Sequence, residues 1–424
     1  MSAGEMPARP RPHSIAEGRA TIEDHLEAVL RGVGPLAAYD QPIVESLGLT
    51  LHENILAEED LPRFDTADID GFAVNSGDLA LASVNDNVSL PVVSEVIAGS
   101  GKHFAISPGS CVKIMAGAPI PRGADAVVPN DLVVAGKNQA VFSASIVHAY
   151  GVRRKGEDRE SGQVALAEGA VIGPREIGLL AALGRERIKA RPRPRVVIMS
   201  TGRELREPGK HLDTDSVADA NTSMLASVVR SLGAIAYRVG VVDDDPRTFK
   251  RVLSDQLVRA DLVVTTGGIG EGDRAMVKRT LSDIGEVTFR DVALLHAAPQ
   301  GFGRVFEEQT PVITLPGDPV AAYTSFELFV VPAIRRMMGL VPYRRPQVHA
   351  VLTQDIASPL GEREYRPAFF EVTHKGAKVT PVPPSHARRV GSLARANAFI
   401  VVGEDEAALN MGDPVRTLTL DRPF

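Results

Sequence analysis

The sequence predicts a multidomain α/β protein in which a doubly wound, mostly parallel α/β domain is set among β-rich segments. Three observations carry that expectation. Between Arg191 and Gly339 an apolar run, a loop and an amphipathic helix recur in series, the pattern that builds a mostly parallel sheet with helices on both faces. From Leu51 to Val141, and again beyond Pro342, short Val-rich runs alternate with turn residues, the texture of small β-domains. At 424 residues the chain is too long for one core, so three or four domains are expected.

Taken in order, the first stretch, MSAGEMPARPRPHS, has no apolar segment of the signal-peptide kind and reads as a disordered tail over residues 1–17. TIEDHLEAVL, Thr21 to Leu30, opens the ordered part as a helix, with Thr21 as its cap and acids in its first turn. VSLPVVSEVI, SCVKIMAG and ADAVVPNDLVVA then mark strands of a β-domain. Gly151 to Gly169 is charged and turn-rich, an exposed connection or strand edge. In the α/β part, RVVIMS (Arg195 to Ser200) is a buried strand, followed by a helix whose Met224, Leu225, Val228, Val229 and Leu232 share one face. AIAYRVG with PRTFKRVLSDQL, and DLVVTTGG with DRAMVKRTLSDI, repeat the unit, and Pro311 to Gly339 supplies a fourth strand and a long helix. VHAVLT, YRPAFFEV, AFIVVG and DPVRTLTL are strands of a last β-domain.

Composition narrows the function. A formal net charge of −6 argues against a nucleic-acid binder, whose footprint is basic. Cys111 is the sole cysteine, which rules out an internal disulfide and a Cys-rich metal site, and it reads as a buried small hydrophobe. No apolar run reaches the roughly 18 residues of a membrane span. A soluble, cytoplasmic protein is expected.

Ligands of open α/β sheets bind outside the carboxyl ends of the strands. Three such ends carry glycine turns: Thr201-Gly202-Arg203-Glu204, Thr265-Thr266-Gly267-Gly268 and Leu315-Pro316-Gly317-Asp318. Glycine lets backbone N–H groups approach a phosphate, and a following helix amino end favours negative charge. Two acidic clusters stand out. FDTADIDGFAV places Asp65, Asp68 and Asp70 in one loop, where they are either exposed or neutralised by a cation. VVDDDP, Val241 to Pro246, either caps the next helix or contributes a carboxylate to a site. His25 and His296 form no ligand-spaced pair and are read as structural.

These motifs, in this order, resemble the MoeA, or gephyrin E-domain, family of molybdopterin molybdenumtransferases. DLPRFDTADIDGFAV, VKIMAGAPIPRGADAVV, RRKGED, STGREL, VVDDDP, TTGGIGEGD, LPGDPVAA and GSLARANAFIVV are similar to successive family motifs from about Thr21 to Thr417. The resemblance implies an elongated linking domain over 18–50 and 150–190, an inserted β-rich domain over 51–149, a MogA-like α/β molybdopterin-binding domain over 191–340 and a barrel-like β-domain over 341–424. It also implies a homodimer whose active site lies between the α/β domain of one subunit and the β-rich domain of the other. The activity implied is insertion of molybdate into molybdopterin-AMP with release of AMP and with Mg²⁺ present, downstream of a molybdopterin adenylyltransferase. Carried over residue by residue, Asp70, Asp158, Glu204 and Asp244 are the catalytic acids, with Asp70, Glu204 and Asp244 as Mg²⁺ ligands. Thr201, Gly202, Asn221, Thr266, Gly267, Gly268, Asp273, Pro316, Gly317 and Pro319 are the substrate-binding set.

The chain departs from the family pattern at the site. Ala116 replaces a threonine, Ala275 an acid, and the run Leu295 to Pro299 lacks two lysines, at Leu295 and Ala298. Asp318 stands for an asparagine, and Asp68 is an added acid. A charge-assisted hydrogen bond is worth about 1.5–3 kcal/mol, so these losses amount to roughly 4–7 kcal/mol if additive. Arg153, Arg154, Arg203, Arg274 and Lys278 are the cations available to compensate. The alternative is a gephyrin-like scaffold with an impaired site that binds a peptide tail, of FtsZ or of a membrane receptor, through Tyr343, Tyr365, Phe369 and Phe370.

Overall fold

The computed structural model describes residues 18–99, 104–297, 299–374 and 376–421, without the side chains of 273 and 274. The expected tail, residues 1–17, lies outside the described residues. The chain divides into two compact units, one of residues 40–47 and 51–190, the other of residues up to 39, 48–50 and from 191 on.

In the first unit a six-stranded sheet runs Ala126–Pro129, Gly71–Val74, Cys111–Ile114, Val88–Val96, Gln139–Phe142, Val133–Ala135. Alternation along the strands fills both faces. Phe72, Val74, Cys111, Val128 and Phe142 share one core, while Ala73, Val112 and Val127 enter another. Cys111 is buried, and burial pushes its thiol up to about 11. Outside the sheet, Ile55–Leu56 pairs with Val164–Leu166 and Thr66–Ala67 with Val152–Arg153. The charged stretch after Gly151 is therefore tied to the segment before the sheet.

The second unit is built on a six-stranded sheet whose strands are β1 (Arg195–Ser200), β2 (Ile235–Arg238), β3 (Leu262–Thr266), β4 (Gly285–Arg290), β5 (Gln300–Val305) and β6 (Thr310–Leu315), in the order β2-β1-β3-β6-β5-β4. The first four in that order are parallel. β5 and β4 close the edge as an antiparallel hairpin, which the sequence pattern does not announce. Helices α1 (Asn221–Ser231), α2 (Pro246–Leu257) and α3 (Met276–Ile284) link the strands, and α4 (Pro319–Ser325) follows β6. Ile198, Val264 and Ile313 pack with Leu225 and Val229 of α1 on one face. Val197, Val263 and Val312 pack with Phe249 and Leu253 of α2 and Leu281 of α3 on the other. Burial on both faces is why these strands read as continuous apolar runs. After α4 the helical path continues through a π turn, Phe326–Val330, into Val331–Met337.

The helix Ile22–Gly32 belongs to this unit and not with residues 150–190. Thr21 caps it with Asp24 in a capping box. Its apolar stripe, Ile22 and Leu26, packs with Phe329 and Phe399. The last strands, Gln347–Leu352, Gly376–Pro381, Glu364–Thr373, Ala398–Val402 and Pro414–Thr419, form a closed barrel, which leaves no free sheet edge. Among the described residues no helix is long and apolar enough to cross a membrane.

Candidate active site

The chain leaves β1 through α1 on one face of the sheet and returns to β3 through α2 on the other. The carboxyl ends of β1 and β3 therefore diverge into a crevice. A cavity of about 400 Å³ opens there. Its floor and walls are the three glycine turns singled out in the sequence: Thr201-Gly202 after β1, Thr266-Gly267-Gly268 after β3 and Pro316-Gly317 after β6. Gly267 and Gly268 take φ of +85° and +67°. A Cβ on Gly267 would lie 2.6 Å from the Thr201 carbonyl oxygen, and one on Gly268 2.4 Å from Val277 Cγ2. Both positions require glycine for conformation and for space.

Two carboxylates line the cavity, Glu204 and Asp244. Glu204 is set by the turn closed from Leu205 N–H to Gly202 O (3.2 Å) and by Val217 N–H on its carbonyl (2.8 Å). Asp244 follows Val242, whose N–H donates to Ser200 O at 3.0 Å. That segment is braced by Glu207, which accepts Val241 N–H at 3.0 Å and pairs with Arg238 at 2.8 Å. The neighbouring acid Asp245 caps α2, accepting Thr248 N–H at 2.8 Å; that bond holds its carboxyl below the usual range. The triplet thus divides: Asp244 faces the cavity and Asp245 the helix. Asn221 stands at the start of α1, its Nδ2 donating to Gly317 O at 2.9 Å and to Thr266 Oγ1 at 3.3 Å.

Ten of the expected residues therefore meet at one cavity. Leu205, Ile269, Gly270 and Pro299 also line it; they lie in or beside the quoted motifs but were not among the expected site residues. Pro319 opens α4 and is not a wall. The Asp273 and Arg274 side chains, and Ala298, lie outside the described residues. Asp70 and Asp158 belong to the other unit. Asp70 accepts Ala116 N–H at 2.7 Å. Asp65 accepts Lys155 N–H at 2.7 Å, and Asp68 is exposed. Asp158 pairs with Arg153 at 3.5 Å. Among the described residues no group of three or more His, Cys, Asp or Glu is placed to hold a metal ion.

Three expectations are corrected. Asp318 does not add its charge to the cavity: it caps α4, accepting Ala321 N–H at 2.9 Å, and pairs with Arg388 at 3.4 Å. An aspartate serves there as an asparagine would, because the bond needed is an acceptor to a helix N–H. Tyr365 is not a surface anchor; it is 8% exposed and packs edge-on against Phe399. Lys278 is no cavity cation, standing over the Phe289 ring at 5.6 Å. Of the other peptide-site candidates, Tyr343 lies beneath Arg336, Phe370 packs on the barrel core and Phe369 is exposed. His25 is structural as expected, edge-on to Phe329 at 4.7 Å.

Comparison with known proteins places this geometry. Residues 20–184 match the MoeA N-terminal region (domain I and II), and residues 349–420 the MoeA C-terminal region (domain IV). Molybdopterin molybdenumtransferase 2 of Mycobacterium tuberculosis is 34% identical over 407 residues, covering 94% of this chain and 99% of that protein. The chain belongs to the MoeA family. Residues 197–336 of this MoeA-family chain match the probable molybdopterin binding domain, a span that contains every wall of the cavity. Molybdopterin molybdenumtransferase of Haemophilus influenzae is 29% identical, covering 86% of this chain and 89% of that one. The molybdopterin biosynthesis MoeA protein of Pyrococcus horikosii superposes with a TM-score of 0.82 at 28% identity, over 95% of this chain and all of that one.

Proposed function

We propose that this MoeA-family chain inserts molybdenum into molybdopterin in molybdenum cofactor biosynthesis, taking molybdopterin-AMP and molybdate and releasing AMP. The observation that carries the proposal is the strand-end cavity, where glycine turns stand beside Glu204 and Asp244. No lysine or arginine is among its described walls. An anionic ligand therefore meets carboxylates, and a divalent cation reconciles the two. Mg²⁺ is commonly held by one or two carboxylates together with substrate phosphates, so the donor set present fits it, with Glu204 and Asp244 as the ligands. Bound there, the ion supplies charge neutralisation at the phosphates. The protein's own part is positional: the Gly267–Gly268 turn admits the phosphates against the backbone, and Asn221 fixes the facing Gly317 turn. The homodimer, in which Asp70 and Asp158 come to the cavity from a second copy, and an upstream adenylyltransferase belong to the same proposal.

The test is insertion with adenylylated molybdopterin, molybdate and Mg²⁺. Asp244→Ala and Glu204→Ala are expected to lower the rate by about a hundredfold or more, the scale of a lost charge interaction at a reacting centre. Wild-type rates in both variants would remove the proposal. A second reading, a scaffold for a peptide tail such as that of FtsZ or a membrane receptor, is favoured by the exposed Phe369 on a barrel strand. Absence of insertion together with micromolar peptide binding lost in Phe369→Ala would establish it instead.

A further inference from the structure

Beneath the cavity lies a carboxylate that the sequence motifs did not single out. Asp219 is 1% exposed. It accepts the hydroxyls of Ser200 (3.1 Å) and Thr222, and the N–H groups of Asn221 (3.0 Å) and Thr222 (3.4 Å). Ser200 Oγ is 2.8 Å from Thr266 Oγ1. Asn221 Nδ2 reaches both Thr266 Oγ1 and Gly317 O.

The direction of each bond follows from one fact: a carboxylate only accepts. Ser200 must turn its hydroxyl proton to Asp219, so Thr266 donates to Ser200. Thr266 Oγ1 is then free to accept from Asn221, whose amide is held with its Nδ2 toward Gly317. One buried charge thereby orders a chain of donors through the turns after β1, β3 and β6. The same carboxylate occupies the first N–H groups of α1, the place where a helix would otherwise receive an anion.

We infer that Asp219 is the positioning residue of this cavity, holding its three turns in one arrangement and closing the amino end of α1, so that a phosphate-bearing ligand is received at the Thr266–Gly267–Gly268 turn. The ligand class rests on the proposed function; the positioning does not. Asp219→Asn keeps the shape but removes the charge: its oxygen stays where Ser200 and the Asn221 and Thr222 N–H groups donate, and its NH2 faces the Thr222 hydroxyl. The uncharged oxygen holds the Ser200 hydroxyl less firmly, so Ser200 shares its proton with Thr266, Thr266 Oγ1 accepts less well from Asn221, and the Gly317 turn loosens.

Full-length wild type is compared with D219N, S200A and D261N by AMP titration with Mg²⁺ and by hydrogen-exchange mass spectrometry. Asp261 pairs with Arg195 at 2.8 Å at the opposite end of β1, so D261N reports lost stability without lost positioning. D219N is expected to bind AMP roughly tenfold more weakly and S200A about threefold, the scale of a broken buried network. In both, peptides covering 266–270 and 315–318 exchange about fivefold faster. D261N lowers the melting temperature yet keeps AMP affinity within about twofold, as a distant site should. Wild-type affinity and exchange in both D219N and S200A would overturn the inference; if D219N does not fold, S200A alone decides. Failure of the wild type to bind AMP would strike the ligand reading, and the exchange of the two peptides would still decide the role of Asp219.

Discussion

At the scale of single residues the cavity depends on positions where a side chain is forbidden. Gly268 has φ of +67°, and an added Cβ would stand 2.4 Å from Val277 Cγ2 and 3.1 Å from Thr201 Oγ1. Val277 is fully buried on α3, so it has nowhere to retreat. Gly268→Ala is expected to cost about 1–3 kcal/mol through overpacking and left-handed strain together, read as a lowered urea midpoint. Gly202→Ala is the contrast, because its Cβ meets only the movable end of Glu204; stability should stay within about 0.5 kcal/mol. Equal losses in the two variants would show that the Gly268 contact is not the cause. These glycines were legible because three glycine turns fall at strand ends of one sheet, where a single one would read as a plain strand exit. Asp219 was not, since nothing in DTDSVADAN separates a buried acid from its exposed neighbours. Asp318 misled for a related reason: composition records its charge, while only geometry shows that a helix N–H and Arg388 take it up.

At the scale of elements, what was legible tracks how much apolar side chain an element carries to the core. β1, β3 and β6 carry apolar residues to both faces and announce themselves. β4 is half-buried, with only Val287 and Phe289 turned to the core, and β5 reads QGFGRV, with glycines that weaken any strand signal. The helix Ile22–Gly32 was legible as a helix, but its packing partner was not, since a stripe of apolar residues does not name the surface it meets. That helix buries His25, 1% exposed. Burial and the charge of Arg290 push its imidazole down from the ordinary 6.5 to about 4. The unfolded chain therefore binds a proton between those values that the folded chain refuses. Stability is full above pH 6.5 and falls as the pH drops toward 4. At pH 5 the loss should be about 2 kcal/mol relative to pH 7. In His25→Phe, which keeps a ring against Phe329, the urea midpoint should change less between pH 7 and 5 than in wild type. An unchanged difference would assign the pH dependence to other groups.

At the scale of the whole molecule, the chain leaves one compact unit and re-enters it, so residues adjacent in sequence answer to different cores. Residues up to 39 belong with the α/β sheet and barrel, and 40–47 with the β-rich unit, a division no local pattern marks. The cores are distinct in composition. Phe142 sits with Phe72 and Val128 in the β-rich unit, and Phe326 with Ile198 and Val264 in the α/β unit. Each phenylalanine is essentially unexposed, and replacing either by alanine should cost about 3–5 kcal/mol. Separate cores predict separate cooperative transitions in calorimetry, since a two-state description holds for single domains and fails for several. Phe142→Ala is expected to lower one transition by about 6–20 °C, on the scaling for units of 150–250 residues, and leave the other in place. Phe326→Ala should do the reverse, and AMP affinity measured well below both transitions should respond to Phe326→Ala alone, because the cavity stands on that core. A single transition moved equally by either substitution would mean that the two units unfold as one, and the cavity would then lose its shape whichever core was weakened.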